Sequence, residues 1–326
     1  MSSPSITSCK LLMVVVLAMS LLPGAHADAV PTEVRIGALT PLLTTSPEEG
    51  LRQGLAELGY VEGRNLIIER RRAESSDGLR SAAEDLVRSK VNLIVAFGTQ
   101  AARAALSATA TIPVVYISGD PVGTGLAESL AHPGGNSTGV STLATELIPK
   151  RMELLQQAAP HVRRVILLGN PGSPLQAGVL KEARKAGEAL HMQIVAVDAR
   201  NAVELDVALR GLQHRASDGF MVSSDVLFLG NRAKVAAAVA RAKLPGMFPG
   251  RDYHDAGVLM SYGTSTKEMG RQAAGYADKI LKGAKPADLP IEQSSKYDLV
   301  IDLRVAHKLG LKVPQELLFR ADEVIR

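Results

Sequence analysis

Short polar segments follow the apolar runs of this sequence at six places, and these segments could bind a ligand. In an open sheet of parallel strands, ligands bind beyond the carboxyl ends of the strands, where backbone amides and helix N-termini converge. Each segment could instead cap the next helix, but six of them in one chain favour a ligand cleft. They are Thr40-Pro41, Gly98-Thr99-Gln100, Ser118-Gly119-Asp120, Gly169-Asn170-Pro171, Ser224-Asp225 and Ser261-Tyr262-Gly263.

The segment Gly98-Thr99-Gln100 has the most specific chemistry. A glycine that ends a buried strand, followed by a hydroxyl at a helix start, offers amide and hydroxyl donors to a carboxylate. Asp120 and Asp225 could accept hydrogen bonds from an ammonium group. Because an α-amino acid carries these two charges side by side, we expect Thr99 to hold a carboxylate and Asp120 or Asp225 an ammonium.

An apolar part of the ligand would need an aromatic wall, and the sequence has no tryptophan to supply it. Phe97 lies inside an apolar strand, where core packing is the better interpretation. Tyr262 lies at a strand end between Ser261 and Gly263, and its ring and hydroxyl could both contact a ligand. The other aromatic candidates are Tyr116, again inside a strand, and Phe228, Phe248 and Tyr253. The expected ligand-binding set is Thr40, Pro41, Gly98, Thr99, Gln100, Ser118, Asp120, Asn170, Asp225 and Tyr262.

Some residue patterns of catalytic and metal sites occur in the sequence, but they lack the neighbouring elements or ligands that such sites require. The stretch 135–139 matches G-x-S-x-G, but no strand precedes Ser137 as a nucleophile elbow requires. The cluster 251–255 (RDYHD) has no second group of ligands to complete a metal site. The sequence has neither a P-loop lysine nor a strand-to-helix G-x-G-x-x-G. We therefore expect no catalytic residue, no metal and no cofactor.

Alternating strands and helices must position the six polar segments. Runs rich in β-branched residues, such as 34–40, 92–97 and 113–118, alternate with helices rich in Ala, Leu, Arg and Glu. The cycle starts again with strands at 164–168 and 219–223. Nearly continuous apolar strands between helices indicate parallel sheets covered on both faces. The sequence thus predicts an α/β fold with two similar lobes, and a lobe boundary near the Gly- and Asn-rich loop 133–139.

The N-terminus has the pattern of an export leader. Lys10 precedes the apolar run 11–22, and Ala25-His26-Ala27 has the small residues that signal peptidase reads. The run is shorter than the ~20 residues of a membrane-spanning helix. Cys9 lies before the run and not at the cleavage point, so we expect a soluble periplasmic protein and not a lipoprotein. Cleavage after Ala27 would leave no cysteine in the chain.

Charge and composition exclude some partners. The net charge is only +4, its Lys and Arg residues are interspersed with acidic ones, and aromatic residues make up 3% of the chain. These features argue against a nucleic-acid or membrane-surface footprint.

Several longer segments, in order along nearly the whole body, resemble one family: the bacterial ABC transporter substrate-binding proteins whose characterised members take up tryptophan and tyrosine. The segments are 52–65 (RQGLAELGYVEGRN), 96–101 (AFGTQA), 119–123 (GDPVG), 131–139 (AHPGGNSTG), 260–263 (MSYG), 280–290 (ILKGAKPADLP), 296–302 (KYDLVID) and 320–324 (RADEV).

The resemblance implies a type I periplasmic-binding-protein fold: two doubly wound parallel-sheet lobes joined by three crossovers, with ligand held between them. We expect the crossovers near 141–142, 256–257 and 289–290. Lobe 1 would then comprise 28–142 plus 257–289, and lobe 2 would comprise 143–256 plus 290–326.

Two functions fit this expectation. The first is the periplasmic solute-binding component of an ABC importer, a monomer that delivers a small molecule, such as an aromatic amino acid, to an inner-membrane permease and its cytoplasmic ATPase. The second is a periplasmic sensor that reports ligand occupancy to a chemoreceptor or sensor kinase. An enzyme is a distant third, because no nucleophile–base pair is evident.

Overall fold

The computed structural model describes residues 33–41, 46–73, 75–294 and 296–326. The expected leader, residues 1–27, lies outside the described residues. So do residues 42–45 of the loop after the first strand. None of the described helices is both long and apolar enough to cross a membrane.

The first lobe is built on a sheet in which all described strand pairs are parallel, in the order β11-β5-β4-β3-β1-β2. Its strands are β1 (Val34–Thr40), β2 (Leu66–Arg72), β3 (Leu93–Phe97), β4 (Val114–Ser118), β5 (Ser137–Ser141) and β11 (Glu292–Gln293). Its helices are α1 (Ser46–Glu57), α2 (Ser76–Arg88), α3 (Thr99–Ala108) and α9 (Thr266–Leu281), with a 3-10 turn at Pro286–Asp288.

The second lobe is built on a sheet in the order β13-β12-β10-β9-β8-β6-β7, parallel except for the antiparallel pair β10 and β12. Its strands are β6 (Arg164–Gly169), β7 (Gln193–Asp198), β8 (Asp218–Val222), β9 (Gly246–Phe248), β10 (Met260–Gly263), β12 (Asp298–Asp302) and β13 (Glu323–Ile325). Its helices are α4 (Ile148–Ala158), α5 (Gln176–Leu190), α6 (Ala202–Arg210), α7 (Val226–Gly230), α8 (Arg232–Arg241), α10 (Leu303–Lys308) and α11 (Gln315–Phe319), with a 3-10 helix at Arg251–Ala256.

The second sheet is covered on both faces, as its apolar strands require. Along β6, Val165 and Leu167 enter one hydrophobic cluster with α4 and α5. Ile166 and Leu168 enter another with Phe220 and α8. Successive side chains of a strand point to opposite faces, so one strand supplies two cores. The α/β fold expected from the alternating pattern is confirmed.

The chain passes between the lobes three times, and two of the crossings differ from the expected positions. The first lies between β5 and α4, near the expected 141–142. We expected residues 257–289 in the first lobe, but β10 (260–263) pairs with β9 and β12 of the second sheet, so the chain crosses between Gly263 and α9. Likewise β11 pairs with β5, so the last crossing follows Gln293 and not residue 289. Neither crossing has a Gly/Pro-rich linker of its own to indicate it in the sequence.

Glycines allow helices α1 and α9 of the first lobe to pack with their backbones in contact. A Cβ added at Gly270 would overlap the carbonyl oxygen of Pro47, and one added at Gly50 would overlap that of Lys267. The overlapping atoms belong to backbone and cannot rotate away. This contact fixes α9 to the first lobe immediately after the second crossing.

We predict that Gly270→Ala destabilises the protein by about 1–3 kcal/mol, the usual cost of overpacking. The matched control is Gly275→Ala in the same helix, where an added Cβ meets no atom within 4 Å. At that position the better helix propensity of alanine should raise the free energy of unfolding by up to about 1 kcal/mol. Urea unfolding of both variants measures the difference. Equal effects of the two substitutions would contradict the close helix contact.

Candidate functional site

The carboxyl ends of the two sheets enclose a cavity of about 160 Å³. A cavity of roughly 150 Å³ is large enough to accommodate benzene. The first lobe contributes strand-end and loop residues Pro41, Pro47, Phe97, Gly98, Thr99, Gln100, Ile117, Ser118 and Gly119, and residues near the crossings, Thr142, Thr264, Thr266 and Met269. The second lobe contributes Arg151, Ser173, Leu175, Ser224, Asp225, Val226, Leu229, Pro249, Gly250, Asp252 and Tyr253.

The two lobes touch across the mouth of this cavity. Gln100 Nε2 at the start of α3 donates a hydrogen bond to the Gly172 carbonyl oxygen of the second lobe at 3.1 Å. A Cβ added at Gly119 would lie 2.5 Å from Leu175 Cδ1, so the leucine packs directly on the opposite backbone. The structure therefore represents a closed arrangement of the lobes.

On the first lobe, the N-terminus of α3 presents hydrogen-bond donors to the cavity. Gly98 precedes the helix with φ 99°, a left-handed conformation that favours glycine, and no side chain caps the helix. The first amides of a helix have no intrahelical partner, and the helix dipole places partial positive charge there. Thr99 Oγ1 and Ser118 Oγ share a hydrogen bond of 2.9 Å, and both side chains are buried. This group suits an anion.

On the second lobe, Asp225 presents a carboxylate. It caps the short helix α7 by accepting from the Leu227 amide at 2.9 Å, and Asn170 Nδ2 donates to its other oxygen at 3.3 Å. Burial raises the pKa of Asp225 above its ordinary value. No Lys, Arg or His of the described chain forms an ion pair with it. A cationic group on a ligand would supply that missing charge.

Two aromatic rings line the cavity, one from each lobe. Phe97 ends β3 directly before Gly98, and Tyr253 lies in the 3-10 helix between β9 and β10. Tyr253 also packs on Phe248, with ring centroids 5.2 Å apart. Phe97, for which we expected core packing, is buried and is also one of the lining residues, because it lies at the end of the strand.

Arg151 is a charged residue of the lining that sequence reasoning missed. It lies on α4, is 2% exposed, and donates to the Tyr262 carbonyl at 2.8 Å and the Pro249 carbonyl at 3.1 Å. The sequence did contain a signal: α4 buries Ile148, Arg151, Met152 and Leu155, so the arginine occupies the apolar stripe of the helix.

The structure brings six of the expected ligand-binding residues to the cavity, and four lie outside its lining. The six are Pro41, Gly98, Thr99, Gln100, Ser118 and Asp225; the four are Thr40, Asp120, Asn170 and Tyr262. Thr40 is buried at the end of β1. Asn170 lies behind Asp225, and its Oδ1 accepts from the Gly172 amide at 2.9 Å.

Asp120 and Tyr262 lie outside the lining for distinct reasons. Asp120 Oδ1 accepts from the Gly123 amide at 2.7 Å, so its carboxylate stabilises its own turn. Tyr262 shares a face of β10 with Met260 and packs against the core of the second lobe, with its ring centroid 6.0 Å from that of Tyr297. Tyr262 is therefore a packing residue of the second lobe in this structure.

Among the described residues, no group of three or more His, Cys, Asp or Glu side chains is arranged to hold a metal ion. The residues that line the cavity include two aspartates, a buried arginine, hydroxyl-bearing residues, the start of α3 and two aromatic residues. This set can hold a small molecule that carries both charges and an apolar group.

Comparison with known families gives a match over residues 44–325 to the model described as ABC transporter substrate binding protein. A tyrosine-binding protein from Clostridioides difficile is 26% identical over 260 residues, covering 78% of this chain and 74% of that protein.

Two solved structures share the architecture over nearly their whole length. A conserved domain protein from Vibrio cholerae has a TM-score of 0.84 and 26% identity, covering 89% of this chain and 99% of that one. An ABC domain from Streptococcus pneumoniae in complex with L-Trp has a TM-score of 0.80 and 25% identity, covering 90% of this chain and 100% of that one.

We predict that Gln100→Ala shifts the protein toward a more open arrangement, because it removes a hydrogen bond that crosses the cavity mouth. A net contribution of about 1 kcal/mol corresponds to a roughly five-fold change in the ratio of closed to open molecules. Energy transfer between dyes on one engineered cysteine per lobe measures this ratio, since Cys9 is the sole cysteine of the sequence. The control is Gln213→Ala on an exposed loop of the second lobe. An unchanged distance distribution in Gln100→Ala would contradict the prediction.

Proposed function

The chain belongs to the ABC transporter substrate-binding proteins, and from this premise we propose that it binds an α-amino acid with an aromatic side chain and delivers it to an inner-membrane permease. The export pattern at residues 1–27 supports a periplasmic location. The family is one of binding proteins, so we propose that the ligand is released chemically unchanged. The sensor alternative would use the same cleft, and the comparisons do not favour it.

One observation carries the choice of ligand: a carboxylate and an uncapped helix N-terminus line the same closed cavity from opposite lobes. Asp225 has no cationic partner among the described residues, and the first amides of α3 have no cap. The ammonium of an amino acid would pair with Asp225, and its carboxylate would accept hydrogen bonds from Thr99 and the α3 amides. The ammonium would then exchange water for a charged partner, and the carboxylate would exchange water for oriented hydrogen-bond donors.

The two rings of the lining support an aromatic side chain. Phe97 and Tyr253 come from different lobes, so a flat side chain between them would contact both lobes at once. Stacked or tilted aromatic pairs contribute about 0.5–1.5 kcal/mol beyond the area they bury. The relative from C. difficile is named for tyrosine, and the S. pneumoniae structure holds L-Trp. We therefore propose tyrosine or tryptophan as the first ligands to test.

We predict that the wild-type protein binds L-tryptophan or L-tyrosine and that Asp225→Asn weakens this binding. Truncating one partner of a buried charge pair costs about 2–5 kcal/mol, which is about 30-fold or more in Kd. The chain has no tryptophan, so no tryptophan emission of the protein overlaps that of bound L-tryptophan, and the bound ligand is measured by its change in emission relative to free L-tryptophan. Asp120→Asn is the matched control, since that carboxylate lies in a turn outside the lining.

The same variants give a test by pH. Because burial raises the pKa of Asp225, its carboxylate becomes neutral at a higher pH than an exposed aspartate does. Affinity should therefore fall as the pH is lowered through that pKa, and Asp225→Asn should lack this dependence. Failure of the wild type to bind either amino acid would refute the proposed ligand class. Equal losses in the Asp225 and Asp120 variants would refute the assigned role of Asp225.

We predict that Phe97→Ala lowers affinity for L-tryptophan by about 2 kcal/mol, or roughly 30-fold, the contribution of one buried aromatic side chain. Tyr262→Ala should show the opposite pattern, with reduced thermal stability and nearly unchanged affinity, because its ring packs in the core. Calorimetric titration and thermal unfolding measure both quantities. If Tyr262→Ala lost affinity and Phe97→Ala did not, the assignment of the aromatic wall would be reversed.

A further inference from the structure

Arg151 carries a buried positive charge at the cavity with no acidic partner. Its guanidinium donates to two backbone carbonyls, those of Tyr262 and Pro249, and approaches Ser224 Oγ at 3.5 Å. Among the described residues it forms no ion pair. Burial lowers its pKa to about 10, so the group remains protonated at neutral pH.

A buried ion without a counter-charge destabilises the protein, because its desolvation costs several kcal/mol even after the protein relaxes. Backbone carbonyls offset part of this penalty through hydrogen bonds, but they carry no net charge. An anionic group of a ligand would complete the compensation. The buried charge of Arg151 therefore favours the protein with an anionic ligand bound over the protein with an empty cavity.

Two N–H donors of the guanidinium are not used by these contacts. Arginine has five N–H groups, and the three contacts of Arg151 use one on each nitrogen. One N–H on each terminal nitrogen is thus left over, and these can donate to a carboxylate. The contact with Ser224 places the guanidinium beside the residue that precedes Asp225.

We propose that Arg151 binds the α-carboxylate of the ligand, so that this carboxylate is held from the second lobe by Arg151 and from the first lobe by the α3 amides and Thr99. The inference rests on the proposed function, an amino-acid ligand. An ionised carboxylate has about four lone-pair sites and can accept from both lobes. The carboxylate then links the lobes, and a ligand that lacks it loses contacts on both sides of the cleft.

A purely architectural role is the competing explanation. Arg151 connects the end of β9, through Pro249, to β10, through Tyr262, and its loss could loosen the second lobe without any ligand contact. That role predicts equal losses of affinity for every ligand. A contact with the carboxylate predicts a loss only for ligands that have a carboxylate.

The test is a cycle of protein variant against ligand analogue. Wild type, Arg151→Met and Arg151→Lys are titrated with L-tryptophan and with L-tryptophanamide, whose carboxylate is replaced by a neutral amide. In the wild type the amide should bind about 30-fold weaker or more. In Arg151→Met the ratio of the two Kd values should be at least ten-fold smaller than in the wild type. In Arg151→Lys, which keeps the charge, the ratio should lie between those of the wild type and Arg151→Met. Arg184→Met, on an exposed position of α5, is the matched control and should keep the wild-type ratio.

The outcomes separate the proposals. An unchanged ratio in Arg151→Met overturns the carboxylate contact, even if both ligands bind less tightly. If wild type binds none of the aromatic amino acids, the proposed function fails first.

If Arg151→Met does not fold, arginine side-chain nitrogen resonances of the ¹⁵N-labelled wild type replace the variant. The Arg151 signal, assigned by its loss in Arg151→Lys, should shift with L-tryptophan and much less with the amide. Equal shifts with both ligands would also overturn the inference.

Discussion

Parallel strands end together at one edge of a sheet, and each strand there leads into a loop or a helix whose first amides lack partners. In this protein two such edges face each other. Three polar groups of the cavity depend directly on that arrangement: the α3 amides follow β3, Ser118 ends β4, and Asp225 follows β8. The cleft therefore follows from the topology of two parallel sheets.

The two lobes bring different kinds of charge to the cleft. The first lobe supplies neutral dipoles, namely hydroxyls and the N-terminus of α3. The second supplies ions: Arg151, Asp225 and Asp252. Asp252 already accepts from Thr266 at 3.0 Å, across the second crossing. Asp225 and Arg151 remain as an anion and a cation that form no ion pair with each other, and a zwitterionic ligand between them would supply an opposite charge to each.

The sequence indicates the strand-end residues because their position follows from chain order. Gly98, Thr99, Gln100 and Ser118 line the cavity, and the α/β architecture was predicted correctly. Side-chain direction was harder to predict. Asp120 has the same position after a strand, but its carboxylate accepts from an amide three residues later, and a one-dimensional pattern cannot distinguish a turn-closing carboxylate from a free one.

Arg151 shows the complementary difficulty. It lies in the middle of a helix, far in sequence from every strand end, and reaches the site only because α4 packs beneath the ends of β9 and β10. A search of strand ends cannot find such a residue, whereas a search for charges on the apolar stripe of a helix can.

The second crossing explains how occupancy of the cavity can change the arrangement of the lobes. Thr264, Thr266 and Met269 belong to the crossing and the first turn of α9, and all three line the cavity. The glycine contacts fix α9 to α1 in the first lobe, while β10 is fixed in the second sheet. At this crossing, movement between the lobes must therefore be absorbed by the few residues between Gly263 and α9. A ligand can favour closure only through a difference in its interactions with the open and closed arrangements, and Thr264, Thr266 and Met269 lie where such interactions would form.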